Sequence, residues 1–332
     1  MTALCLLSSA AWARQKTDIV VLTNGDRITC EIKQLDRGIL KAGTDGIGTI
    51  NIEWDDVDSL SSVYQFRVED HYGIKHFGAI FLMKDGTLEV IQGENVHHVQ
   101  QVDVVEITPM ESSFWAQLDG SINLGFSYTK SNDLAQLSTD INVRRRTRVR
   151  SLELDISSIT TWQQAEDTQR RSDLSLTLNR LLAGPWYTTT SIASQTNDEL
   201  GLDLRVQLSA GLGLKVAQSN HNDLVTSAGL SGNREWSGDR EGEYNLEAFA
   251  SVEHAVFRYD YPKTDITSEI TVYPNLTTWG RVRSEVDISA SREVVKDFTL
   301  VLSFYDSYDS DPADENAQKN DYGLVFSLGW TF

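Results

Sequence analysis

Residues 200–216 read LGLDLRVQLSAGLGLKV. Leu200, Leu202, Leu204, Val206, Leu208, Ala210, Leu212, Leu214 and Val216 take every second place. Gly201, Asp203, Arg205, Gln207, Ser209, Gly211, Gly213 and Lys215 stand between them. Period two held this long is a strand with one apolar and one polar face. Strands of soluble sandwiches usually run about five or six residues, whereas a tilted strand needs roughly 9–11 to cross a bilayer.

The same alternation recurs along the rest of the chain. It predicts about twelve strands, at 114–130, 134–146, 149–163, 168–182, 185–196, 199–217, 222–236, 243–258, 264–277, 280–294, 297–308 and 321–332. The ninth is the weakest, because Pro274 has no N–H to donate to a ladder. Which face points inward follows from the charges at mid-strand: Asp155, Asp203, Arg205, Glu247, Glu253, Glu269, Arg283, Glu285 and Asp287. Each would cost several kcal/mol against lipid and is tolerated in a wet or salt-bridged lumen. The apolar face is therefore expected outside, and the fold expected is an all-β protein with an antiparallel transmembrane β-barrel. Trp115, Trp162, Trp186, Trp236, Trp279 and Trp330 fall near predicted strand ends, where indoles gather at a membrane–water boundary.

The last stretch, DYGLVFSLGWTF, sets Tyr322, Leu324, Phe326, Leu328, Trp330 and Phe332 on one face. Such a strand is expected to pair with both the eleventh and the first, because an open edge does not survive in lipid. The pattern also resembles the assembly signal of bacterial outer-membrane proteins, read by strand addition onto the barrel-assembly machinery. Short connections, such as Ala183-Gly184-Pro185 and Tyr261-Pro262-Lys263, alternate with longer ones such as DSYDSDPADENAQKND. Outer-membrane barrels keep the short turns in the periplasm.

Ahead of the barrel, residues 17–108 carry short strands and tight turns. DIVVLTNGDRITCEI flanks Asn24-Gly25 with β-branched runs, and AIFLMKDGTLEVI repeats the scheme around Asp85-Gly86. Two related units of about forty-five residues are expected, together a small SH3/Sm-like β domain on the periplasmic side. Trp54 reads as core, and Cys30 as a thiol packed inside a strand. His71, His76, His97 and His98 fit no metal-ligand spacing, and adjacent His97 and His98 point to opposite faces of a strand. The apolar stretch Ala3–Leu7 followed by Ala11-Trp12-Ala13 predicts a signal peptide over residues 1–13, with no basic residue ahead of it.

Net charge is −19, which speaks against nucleic acid as a partner. No apolar run is long enough for a membrane-spanning helix, and a barrel needs none.

LTNGDRITCEI with GTINIEWDDV in the leading unit, and LDGSINLGFSYTKSN opening the barrel, resemble the YdiY-like family, described as salt-induced outer-membrane proteins or a domain of unknown function. The resemblance implies a barrel spanning residues 109–332 in the outer membrane of a Gram-negative bacterium, among outer-membrane lipids and lipopolysaccharide. It implies no activity, cofactor, metal or catalytic residue.

Three functions fit these residues. The first is a non-enzymatic envelope or osmotic-stress component or narrow pore, whose inward charges either line a cation-preferring path or pair and plug the lumen. The second is a docking or adhesin protein acting through the leading β unit. The third is an outer-membrane lipid hydrolase, which the residues support least: His254 shares the outward face with Val252 and Val256, and no neighbouring Ser with a supporting Asn or Asp stands out.

Overall fold

The structure, a computed structural model, describes residues 15–110, 118–130, 133–163, 168–198, 201–237, 240–296, 298–312 and 318–330. The expected leader at 1–13, Trp115 and Phe332 lie outside the described residues. No described helix is long and apolar enough to cross a membrane.

Nine strands build the N-terminal part: β1 (Asp18–Leu22), β2 (Arg27–Asp36), β3 (Ile39–Thr44), β4 (Gly48–Glu53), β5 (Val57–Asp70), β6 (Lys75–Leu82), β7 (Thr87–Gln92), β8 (Asn95–Gln100) and β9 (Val104–Pro109). They form one sheet in the order β4-β3-β2-β1-β5-β6-β7-β8, with β9 closing against β2 and β5. Both expected hairpins are present. Asn24 Oδ1 accepts from the Asp26 N–H at 2.9 Å, and Asp85 Oδ1 from the Thr87 N–H at 2.9 Å, so each turn is held by its own side chain.

A short 3-10 helix precedes β5 and another precedes β9, Trp54–Asp56 and Gln101–Asp103. Trp54 Nε1 donates to the Gln101 carbonyl at 2.8 Å, and Gln101 Nε2 donates back to the Trp54 carbonyl at 2.9 Å. The stretches on either side of the long central strand share one sheet. The 14-residue β5 pairs with β1 over its first residues, with β6 from Leu60 on and with β9 over Phe66–Asp70, so one core serves both. That core is built of Val20, Cys30, Leu35, Trp54, Phe66, Ile80, Leu88 and their neighbours, all buried.

Twelve longer strands follow: β10 (Leu118–Thr129), β11 (Leu134–Arg146), β12 (Arg150–Trp162), β13 (Gln169–Leu181), β14 (Trp186–Asn197), β15 (Leu202–Gln218), β16 (Asn222–Ser237), β17 (Arg240–Arg258), β18 (Thr264–Pro274), β19 (Val282–Val295), β20 (Phe298–Asp309) and β21 (Asn320–Trp330). Each pairs antiparallel with the next in chain order. β18 stops at Pro274, where the ladder loses its donor.

The sheet curls on itself. Arg171 of β13 reaches Asp321 of β21 at 3.2 Å, and Arg205 of β15 lies 3.7 Å from Asp309 of β20. Its large apolar residues face out: Phe126, Leu208, Leu230 and Phe326 are exposed, whereas Glu235, Glu247, Arg281 and Arg283 are buried within. This inverts the usual arrangement of a soluble protein.

One expectation fails. No ladder joins β21 to β10 among the described residues. Arg171 and Asn197 grip Asp321 on β21, but the described inward residues of β10, Ser121, Asn123, Gly125 and Ser127, are small and exposed and offer nothing comparable. β10 and β21 are therefore each left with one ladder partner among the described residues.

Candidate functional site

Within the barrel, the inward face divides into three layers. At the long-loop end lies a network of ion pairs. Arg283 grips Glu247 with two parallel bonds, Nε to Oε1 at 3.0 Å and Nη2 to Oε2 at 2.8 Å. Arg281 donates through Nη2 to Glu235 Oε2 at 2.9 Å and to Asp309 Oδ2 at 2.6 Å. Arg205 donates to Glu235 at 2.7 Å and to Gln195 at 2.6 Å. Asn233, Asn245 and Asn275 extend the chain, Asn233 Nδ2 donating to Glu247 at 2.8 Å. Glu247 is 0% exposed. A buried charge holds only with a partner of this quality.

Below this network is a cavity of about 620 Å³. Asp155, Asp173, Glu269, Glu285 and Asp287 line it, with Arg171 and Arg205 at its edge. Glu253 stands opposite Glu269 in the ladder and shares this layer.

The third layer is the short-turn end, where the N-terminal domain docks. Lys215 Nζ donates to Glu69 Oε1 at 2.8 Å, and Glu69 is wholly buried. Arg146 donates to Asp36 at 2.9 Å. Glu106 accepts from Arg67 at 2.5 Å and stands 3.9 Å from Lys215 and 4.0 Å from Arg146. Asn220 Nδ2 donates to the Val104 carbonyl at 3.1 Å, and Lys75 Nζ to the Gly184 carbonyl at 2.8 Å. Burial lowers the Lys75 pKa. Arg148 covers the Phe77 ring at 4.1 Å, and Arg37 covers Phe257 at 4.6 Å while pairing with Asp265 at 2.9 Å.

Gly38 lets the two parts meet. Its φ is +70°, and a methyl there would stand 2.5 Å from the Asn220 carbonyl oxygen. Gly38→Ala is expected to cost about 1–2 kcal/mol from the left-handed backbone alone, read as a lower urea midpoint.

Of the nine charges assigned to the lumen from sequence, Arg205, Glu247 and Arg283 belong to the ion-pair network, and Asp155, Glu253, Glu269, Glu285 and Asp287 to the acidic layer. Asp203 sits near the start of β15, at the long-loop end. Strand parity alone would have added Asn233 and Glu235. Arg281 and Asp309, at strand ends, carried no such signal. Trp162, Trp236 and Trp279 stand at the long-loop end, Trp186 and Trp330 at the other. Trp279 is 92% exposed. Tyr322, Leu324, Phe326, Leu328 and Trp330 form an exposed outward row on β21.

On the outer wall, His254 Nε2 lies 2.7 Å from Asn222 Oδ1, a partner the sequence did not reveal because it comes from the neighbouring strand. Ser268 faces His254 across the β17–β18 ladder, but its hydroxyl donates to the His254 backbone carbonyl at 3.4 Å, not to the ring. The described His, Cys, Asp and Glu residues form no cluster able to hold a metal ion.

These features define an all-β protein with a small N-terminal domain seated on one end of a twelve-stranded antiparallel sheet that curls around a charged interior. A family model described as "Protein of unknown function, DUF481" matches residues 122–332, and the chain belongs to this family, the YdiY-like family. No curated protein and no solved structure matches the chain.

Proposed function

We propose that this is a non-enzymatic outer-membrane barrel protein whose lumen is shut at rest, an envelope component rather than a constitutively open pore. The observation that carries this is the paired network of Arg205, Glu235, Glu247, Arg281, Arg283 and Asp309, which leaves these charges buried and bonded instead of lining water. The docked domain closes the other end.

The outward apolar residues support the membrane reading. So do the two aromatic bands: on β21, Tyr322 and Trp330 are eight residues apart. At about 3.3 Å per residue and a tilt of about 40°, the distance between them is roughly 20 Å, close to the apolar band of such barrels. The short turns and the docked domain then face the periplasm and the longer loops the outside. The barrel-assembly machinery, which reads the last strand, and the surrounding outer-membrane lipids are the partners of this reading.

Purified protein in planar bilayers is expected to pass no steady current across a wide voltage range. Discrete ion-selective steps from the unmodified chain would overturn the closed-lumen reading. Hydrolysis gains too little support from Asn222 and His254, because the Ser268 hydroxyl is spent on a backbone carbonyl. A docking role keeps one observation: β4 and β8 each have a ladder partner on one side only.

A further inference from the structure

One guanidinium stands on the outer wall within the aromatic band of the long-loop end. Arg234, half-buried, lies on the same outward face of β16 as the exposed Leu230. Its guanidinium carbon is 4.8 Å from the ring centre of Trp236 on its own strand and 4.7 Å from that of Tyr244, its direct partner on β17. No described carboxylate pairs with Arg234, and its Nε is shut away from water without an acceptor. The inward Arg205, Arg281 and Arg283 all have carboxylate partners.

Two aromatic contacts use the faces of a planar cation and leave its terminal N–H edge free. That edge is the part that forks onto a phosphate. Beneath it, two residues further into the wall, is Gly232, where an added Cβ would meet open space. Exposed Leu208, Leu230 and Leu246 border the gap. A positive head above an apolar notch matches a ligand with a phosphate at one end and a hydrocarbon chain at the other.

We propose that Arg234, held by Trp236 and Tyr244, is a binding site for the phosphate of an outer-leaflet glycolipid, with one acyl chain lying over Gly232. This rests on the membrane reading and deepens it. The long-loop end faces outward there, where phosphorylated glycolipid makes up the leaflet, and the unmatched positive charge selects an anionic headgroup.

The test uses the full chain, delipidated in detergent, with purified lipid A as probe and binding followed by native mass spectrometry and Trp fluorescence. Arg234→Ala is expected to weaken binding about tenfold, the loss of one charge-assisted contact of roughly 1.4 kcal/mol. Arg234→Lys should restore part of it. Gly232→Leu should weaken lipid A while leaving the fold and the Arg234 environment intact. Binding by Arg234→Ala within twofold of the unmodified chain would overturn the site. Equal Arg234-dependent binding of phosphatidylglycerol would overturn the assignment to glycolipid. An unmodified chain that stays monomeric in aqueous buffer without detergent would sink the membrane reading before any lipid is added, so the two failures are separable.

Discussion

Replacing Lys215 by glutamate is expected to release the N-terminal domain from the barrel. Lys215 reaches Glu69 at 2.8 Å and lies 3.9 Å from Glu106. Glu69 has no access to solvent, so removing Lys215 takes away its hydrogen-bonding partner and leaves only Lys75, 3.9 Å away, to offset a buried charge. Breaking a buried pair from one side costs about 3–5 kcal/mol, and a second carboxylate in the gap adds repulsion. Hydrogen exchange should rise in Val104–Pro109, where Asn220 holds the Val104 carbonyl, and in the Ser219–His221 turn, while the ladders between successive strands from β10 to β21 stay protected. Unchanged exchange at both places would show that these pairs do not hold the domain.

The same interface has a definite pH response. Burial alone would raise the Glu106 carboxyl, but Arg67, Lys215 and Arg146 outweigh it and hold the pKa well below its ordinary 4.5. A carboxyl with a depressed folded-state pKa contributes stability that is complete above the unfolded value and fades as pH falls through the folded one. Docking is therefore expected to be as firm at pH 5 as at pH 7, with release only well below pH 4.5, checked by the same exchange measurement.

Strand positions were legible because parity is a local signal. In 200–216 each residue reports its face through its immediate neighbours, and the described strand Leu202–Gln218 follows that reading nearly to the residue. The lumen charges were legible for the same reason: a mid-strand Glu247 between apolar neighbours can only face inward. What parity cannot carry is which inward charge meets which. Arg283 and Glu247 are 36 positions apart, and Lys215 and Glu69 are 146 apart in different domains. Nothing at Glu69 or Glu106 marks either as an interface residue, since each is one acid in an acidic chain. Asn222 and His254 meet only because β16 and β17 align in register, and register depends on turns whose geometry composition does not fix.

Arg283→Met separates the two interiors that the inward charges allow. In a dry, paired plug, removing Arg283 leaves Glu247 buried with only Asn233 as a donor. The expected loss is then about 3–5 kcal/mol, read as a lower urea midpoint for the refolded barrel in detergent micelles. In a water-filled path the same carboxylate would be solvated, and the loss would stay under about 1 kcal/mol, as for exposed pairs. The double variant Arg283→Met/Glu247→Leu removes both charges. It should recover most of the midpoint in a dry network, because the isolated charge and not the missing bond carries the penalty. In a wet lumen the second substitution would recover nothing and would place an apolar side chain against water. A large single loss with recovery in the double therefore marks a sealed interior. A small loss without recovery marks an open one and returns the cation-preferring path as the function of the lumen.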